Sequence, residues 1–222
     1  VRMDYTGPDA ADFADVAALN HAFLVRLRSP GMAGERLREH LPEPLHGVVA
    51  ALRDVQVERL SSTPFLLLSL RERDATYWQR LAGEHAPGDL FADPHGSPDE
   101  IAAAALSLLW HLARRNPYAV RLVAGAGNDW CSMLVGSTLL PLLRQASSRI
   151  DLLQPRLAAN PAFWAKLLGP GLDSNAGIRS AAHAACLQTI LTDLPEPARQ
   201  LRAAASRARL PQYRSGPVRR PT

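Results

Sequence analysis

The sequence predicts an all-α protein, a multi-helix globular bundle. Apolar residues recur at helical spacing over most of the chain, and the apolar stretches end at prolines, glycines and capping residues. Of the 222 residues, 47% are hydrophobic, which is enough to bury a core. No apolar run approaches the roughly 18 residues of a membrane helix. We therefore expect one large helical domain or two small ones.

The first part of the bundle, residues 1–84, contains four predicted helical stretches. The first follows a capping Asp9 or Asp12 and ends at Ser29. A short helix covers residues 33–41, and proline closes it. A third helix starts at Pro44, a first-turn proline, and runs to about residue 61 in one piece, and a later helical face ends at residue 83.

The segment from Phe65 to Leu70 is continuously apolar. At this length periodicity does not separate a buried strand from a buried helical turn. Because the chain shows no other convincing strand to pair with it, a helix is favoured.

Residues 85–97 combine two prolines, two glycines and two aspartates, which is typical of a linker. The second helical part, residues 98–195, then opens with Ser97 as N-cap and Pro98 in the first turn. The later predicted helices run from Pro117 to Gly125 or Gly127, from Asn128 or Asp129 onward with a kink at Pro141, from Pro161 to Gly169, and from Ser174 or Asn175.

The charge of the chain is distributed unevenly. The last acidic residue is Glu196, and the residues after it carry seven arginines. The net charge of the whole chain is +4, so residues 1–196 carry about −3. Residues 196–222 are therefore predicted to form a basic, flexible tail that contacts nucleic acid or an acidic partner. The arginines are Arg199, Arg202, Arg207, Arg209, Arg214, Arg219 and Arg220.

That tail has a simpler interpretation too. Charged termini often only keep a protein in solution, and the chain uses arginine almost exclusively as its basic residue, with Lys166 as its one lysine.

Two cysteines, Cys131 and Cys186, make no disulfide framework, and acids precede the first apolar run, unlike a secretory signal. We expect a cytoplasmic protein that does not associate with membranes.

Three patterns resemble ligand sites. The glycines at 125 and 127, before Asn128, could cradle a phosphate, but a helix C-cap joined to the next N-cap is favoured. His183 and Cys186 could share a metal, but too few further ligands accompany them and helix packing is favoured. Acidic and histidine side chains at Asp89, Asp93, His95 and Asp99 could bind a cation, but turn and capping roles suffice.

No catalytic motif is present: the histidines show no HExxH arrangement and no serine lies in a GxSxG elbow. We expect no catalytic residue, no metal and no cofactor, and a non-enzymatic protein. Aromatic residues that could form a partner interface are Trp78, Phe163 and Trp164, with core burial as the alternative.

Residues 16–82 contain an asparagine-led apolar helix, a leucine-and-glutamine helix, and an apolar segment followed by arginines, in that order. These are residues 19–24, 50–60 and 65–74, followed by Trp78 and Leu81. In this order of segments the chain resembles the FlhD subunit of the flagellar transcriptional activator. The cysteine that links protomers in FlhD-type chains would fall near Leu68 and is missing. The resemblance implies a helical, dimerising, DNA-associated regulator without catalysis.

These observations favour a regulatory or adaptor protein that binds a protein partner through its helical part and nucleic acid through its tail. A structural or assembly subunit that associates with copies of itself is one alternative. A helical small-molecule-binding or enzymatic domain is another, with Asp93, His95 and His111 near its pocket.

Overall fold

The computed structural model describes residues 7–83, 99–147 and 149–193. Within them the fold is helical, and none of these helices is both long and apolar enough to cross a bilayer. The helices are α1 Ala10–Arg28, α2 Met32–Glu39, α3 Glu43–Ala50, α4 Asp54–Ser61, α5 Ala75–Gly83, α6 Glu100–Arg115, α7 Pro117–Ala124, α8 Asn128–Gly136, α9 Leu139–Ser147, α10 Pro161–Leu168 and α11 Ala176–Thr192, with a 3₁₀ turn at Pro170–Leu172.

Local capping chemistry sets many of the helix ends. Asp9 caps α1 in a reciprocal capping box with Asp12. Asn116 caps α7 by accepting from the Tyr118 N–H, and Asn160 caps α10 in the same manner. Gly125 ends α7 with φ +64°, the left-handed conformation that favours glycine. The all-α prediction is confirmed.

The predicted helix over residues 44–61 is wrong in one respect, because the structure divides it into α3 and α4. The chain leaves the helix at Ala51, buries Leu52 and starts again at Asp54. Arg28 at the end of α1 holds this break: it donates to the Leu52 carbonyl at 3.1 Å and pairs with Asp54 at 2.6 Å. A contact from a distant helix therefore stabilises an interruption that carries no proline or glycine.

The helix favoured for residues 65–70 is also wrong. Leu68–Ser69 forms a short strand, β1, that pairs antiparallel with β2, Gln154–Pro155. The approach to β1 is held by Asn20, which donates to the Phe65 carbonyl at 2.8 Å and accepts from the Leu67 N–H at 2.7 Å. Hydrogen bonds from the Asn20 side chain and from the backbone of β2 replace those that a helix would have supplied.

Two further helix ends differ from the sequence prediction. Asp99, rather than Ser97, is the N-cap of α6 and accepts from the N–H groups of Ile101 and Ala102. The helix predicted to kink at Pro141 is instead two helices, since α8 ends at Gly136 and Pro141 lies in the first turn of α9. Proline is tolerated there because the first-turn N–H groups have no partner within the helix.

Both predicted helical parts contribute to one hydrophobic core. Phe23 and Leu60 from the first part, and Leu106 and Trp164 from the second, are fully buried members of the same cluster. Residues 1–191 form one compact unit. The predicted linker, residues 85–97, lies outside the described residues, and residues 192–222 form a second unit of which only 192 and 193 are described.

Candidate functional site

A cleft of about 420 Å³ opens where the turn after β1 meets the chain around β2. The two walls are at least 80 residues apart in sequence, and the pairing of β1 with β2 brings them together. Eight residues line the cleft, most of them polar or charged: Ser69, Arg71, Glu72, Arg73, Asp74, Gln154, Arg156 and Leu157. A concave surface with convergent polar groups is the usual form of a ligand site.

A buried ion pair forms one wall of this cleft. Arg156 donates from Nη1 to Glu72 at 2.6 Å, and both side chains are almost completely buried. The other Glu72 oxygen accepts from the Ser69 hydroxyl at 2.8 Å and the Leu70 N–H at 2.9 Å. Burial raises the pKa of Glu72, but the Arg156 charge and these hydrogen bonds outweigh it and hold the pKa below the ordinary value of 4.5.

Arg156 also connects three parts of the backbone. Its guanidinium donates to the carbonyl oxygens of Leu66, Leu68 and Ala124. The Arg156 carbonyl accepts from the Trp164 indole at 2.9 Å. Since these bonds and the bond to Glu72 engage all three nitrogens of the guanidinium, Arg156 holds the walls of the cleft in place rather than offering its charge to a ligand.

Backbone strain is concentrated at the same cleft. Arg71 has φ +55° and Leu157 has φ +47°, and they are the only residues other than glycine with positive φ among those described. The left-handed conformation costs such residues about 1–2 kcal/mol. The Arg71 N–H donates to the Ser69 hydroxyl, and the Trp78 indole donates to the Arg71 carbonyl. Strain of this kind clusters at functional sites, so the cleft is our candidate site.

Next to the cleft, the Tyr77 ring lies among arginines. The Arg71 guanidinium stacks 4.3 Å from the ring centroid, and that of Arg80 lies at 5.5 Å. Arg149 shares a narrow crevice with Tyr77 and Arg80. The Tyr77 hydroxyl donates to Asp151 Oδ1 at 3.2 Å, and Arg71 donates to Asp151 Oδ2 at 3.0 Å. We call Arg71, Tyr77 and Asp151 the Tyr77 site.

The charges around the Tyr77 site change the pKa of the Tyr77 phenol. Burial and the Asp151 carboxylate raise the pKa of Tyr77 to about 12, while the charges of Arg71 and Arg149 oppose that rise. The phenol therefore stays protonated at neutral pH and serves as a hydrogen-bond donor. A protonated phenol beside a guanidinium is suited to hold an oxyanion.

Arg73 links the cleft to two helix ends. It donates to the Gly125 carbonyl at 3.2 Å and to the Ile190 carbonyl at 2.6 Å, where the helix dipoles of α7 and α11 favour a cation. The glycine is needed for this contact, because a Cβ at position 125 would lie 2.5 Å from Ile190 Cγ2. The predicted cap at Gly125 is thus confirmed, and the alternative phosphate cradle is replaced by packing.

The predicted pair on α11 lies in the protein core. His183 contacts the Gly171 carbonyl at 3.2 Å, and Cys186 lies 3.8 Å from the Phe163 carbonyl. Burial lowers the pKa of His183 and raises the pKa of both Cys131 and Cys186 to about 11, so neither thiol is activated. Within the described part of the chain, no three potential ligands gather at a metal-binding distance.

The aromatic residues predicted as a partner interface are buried. Trp78 packs edge-on against Trp130, Phe163 packs against Phe65, and Trp164 is fully buried. Their apolar area stabilises the core, so these side chains do not form an outer surface in this fold. For Trp78, Phe163 and Trp164 the structure therefore shows core burial, the alternative to a partner interface.

Several predicted residues lie outside the described ranges. The seven tail arginines, from Arg199 to Arg220, are among them, as are Asp89, Asp93 and His95. Asp99 is described, and it caps α6 while pairing with Arg26 at 2.6 Å. His111 is exposed, its ring lies edge-on to that of Trp110, and it is not among the residues that line the cleft.

Sequence reasoning missed the Tyr77 site. Its three residues are in two places, with Asp151 lying 80 positions after Arg71. The run from Arg71 to Asp74 follows the apolar segment directly, but the sequence carries no signal that pairs it with Asp151. Comparison of the chain with protein-family models, with curated proteins and with solved structures returns no match. The resemblance of residues 16–82 to FlhD stays a prediction.

Proposed function

We propose that this chain is a non-enzymatic regulatory or adaptor protein, in which the helical part binds a protein partner and the arginine-rich tail contacts nucleic acid. The observation that carries the proposal is the separation of charge. Seven arginines follow Glu196 without an acid among them, while the preceding residues have a net charge of about −3. A basic segment of this kind attracts a polyanion, whereas the rest of the chain weakly repels one.

According to this proposal, binding to nucleic acid depends on the tail and not on the rest of the chain. Truncation after Glu196 is expected to remove binding to duplex DNA, measured by fluorescence anisotropy. A full-length chain with glutamine at the seven arginine positions keeps the length and removes the charge, so it is the matched control. Circular dichroism of both variants checks that each folds like the wild type before its binding is compared.

Salt dependence distinguishes charge-driven binding from other contacts. Each phosphate neutralised contributes a slope of about −0.9 in a plot of log affinity against log salt, so seven contacts would give a slope of about −6. An affinity that hardly changes with salt, or that survives truncation, would contradict the nucleic-acid part of the proposal. A pull-down with the full and the truncated chain separates partners of the helical part from partners of the tail.

The cleft favours a second function, a helical small-molecule-binding domain. It combines a cavity, a buried ion pair and the two strained residues Arg71 and Leu157. These features are independent of the tail. A ligand screen on the truncated chain would test this function without interference from the seven tail arginines, and the absence of any ligand that shifts the cleft resonances would count against it.

A further inference from the structure

We propose that Arg71 and the Tyr77 hydroxyl form an oxyanion-binding site whose resident occupant is Asp151, and that a small carboxylate- or phosphate-bearing ligand takes the place of Asp151. The proposal goes beyond the regulatory function above and holds whether or not the tail binds a polyanion. It assigns a chemistry to the cleft, since Arg71 belongs to both the cleft and the Tyr77 site.

The first argument is geometric. Arg71 Nη1 and the Tyr77 hydroxyl donate to different oxygens of one carboxylate, at 3.0 Å and 3.2 Å. Two donors that grip both oxygens of a planar anion form a specific recognition element, because the second hydrogen bond fixes its orientation. Asp151 therefore shows the pose that an external carboxylate or phosphate would adopt.

The second argument is that the donors stay in place without Asp151. The Arg71 guanidinium also donates to Asp74 at 3.0 Å and stacks on the Tyr77 ring, and these two contacts hold it without Asp151. The Arg71 backbone is fixed in the left-handed conformation, with φ +55°. Tyr77 is buried and belongs to α5. Preorganised donors lose little entropy when a ligand binds, which increases affinity.

The third argument is electrostatic. Arg71 and Arg80 lie over the Tyr77 ring, and Arg149 lies in the crevice beside it. Asp151 places one carboxylate beside these arginines through its pair with Arg71. Its removal takes one negative charge from the Tyr77 site, and an incoming oxyanion restores that charge.

The fourth argument is that Asp151 can be displaced. Its side chain is 48% exposed and lies outside the helices and strands, between α9 and β2. An exposed ion pair contributes about 0–1 kcal/mol, so little stability opposes its exchange. The adjoining cleft of about 420 Å³ gives room for the rest of a small ligand.

The test removes the resident carboxylate. Asp151→Ala is expected to bind inorganic phosphate or succinate about threefold to fivefold more tightly than wild type, because the exposed ion pair that the ligand displaces contributes up to about 1 kcal/mol. Binding is measured by NMR, from the Tyr77 amide and the Arg71 side-chain resonances, in separate titrations with each anion. Asp151→Asn is the second variant, in case the alanine substitution perturbs folding as judged by circular dichroism.

Two controls separate the site from general charge effects. Asp15→Ala removes an exposed acid on α1 and should leave anion binding unchanged. Adding Arg71→Gln to Asp151→Ala should abolish the gain in affinity. All variants keep the tail, so its contribution to phosphate binding is common to them.

The outcomes distinguish carboxylate from phosphate ligands, and they also support or overturn the proposal. A gain with succinate alone identifies carboxylates, a gain with phosphate alone identifies phosphates, and a gain with both identifies a general oxyanion site; each supports the proposal. Equal binding by wild type and Asp151→Ala would overturn it. So would a gain that survives Arg71→Gln, or one that Asp15→Ala reproduces.

Discussion

Replacement of Arg156 by methionine tests whether the buried ion pair holds the fold together. Methionine fills much of the volume but leaves the Glu72 carboxylate buried without a cation. Breaking a buried pair by removing one partner costs about 3–5 kcal/mol. Since a domain has a free energy of unfolding of about 5–15 kcal/mol, we expect Arg156→Met to lose a large part of it.

The loss of stability expected for Arg156→Met has two parts. Arg156→Met removes the donor to the carbonyls of Leu66, Leu68 and Ala124, and it also strands the Glu72 charge. Adding Glu72→Gln removes that charge and is expected to recover about 1–3 kcal/mol, the usual cost of a buried unsatisfied group. The double variant should therefore be more stable than Arg156→Met but less stable than wild type.

The assay is urea denaturation followed by circular dichroism, with thermal unfolding in parallel. A loss of 3–5 kcal/mol lowers Tm by about 6–20 °C in a chain of this size. Arg36→Met, an exposed arginine on α2, is the matched control and should change stability by less than about 0.5 kcal/mol. A loss below about 1 kcal/mol for Arg156→Met, or a double variant no more stable than it, would refute the reasoning.

Three further predictions concern other positions. Asn20→Ala should lower the free energy of unfolding by about 2–3 kcal/mol in urea, because the Leu67 N–H loses its buried acceptor and the Phe65 carbonyl keeps only the Thr63 hydroxyl as a side-chain donor. Gly125→Ala should lower Tm, through the strain at φ +64° and the Cβ contact with Ile190, whereas Gly47→Ala, where a Cβ meets nothing, should not. Because the pKa of Glu72 is lowered in the folded state, the stability it contributes is present above about pH 4.5 and lost as the pH falls through the folded-state value; Glu72→Gln should show a weaker loss in acid urea titrations.

Helix existence and many helix ends were predictable from local sequence. The N-caps at Asp9 and Asn160 and the C-cap at Gly125 follow from side-chain oxygens and backbone conformations that act within three or four residues. The proline at position 117 marks the start of a helix for the same local reason. Such signals can be recognised in the sequence because both partners of each hydrogen bond are close together in the chain.

The break between α3 and α4 and the strand at Leu68 were not predictable in this way. Arg28 stabilises the break, and Asn20 and β2 stabilise the segment around the strand. Each of these partners lies more than 20 residues away. Periodicity over a few apolar residues cannot decide their conformation, because distant hydrogen bonds replace the local ones.

The same distinction applies to the candidate site. Composition and charge order alone established the arginine tail after Glu196, since charge can be counted along a chain without knowing its fold. The Tyr77 site needed the tertiary structure, because Asp151 reaches Arg71 only after β1 pairs with β2. The sequence by itself determined a helical chain with an acidic part and a basic end. Tertiary packing decided which charges are buried and which converge on a cleft, because the desolvation and pairing of a charge depend on neighbours that only folding brings together.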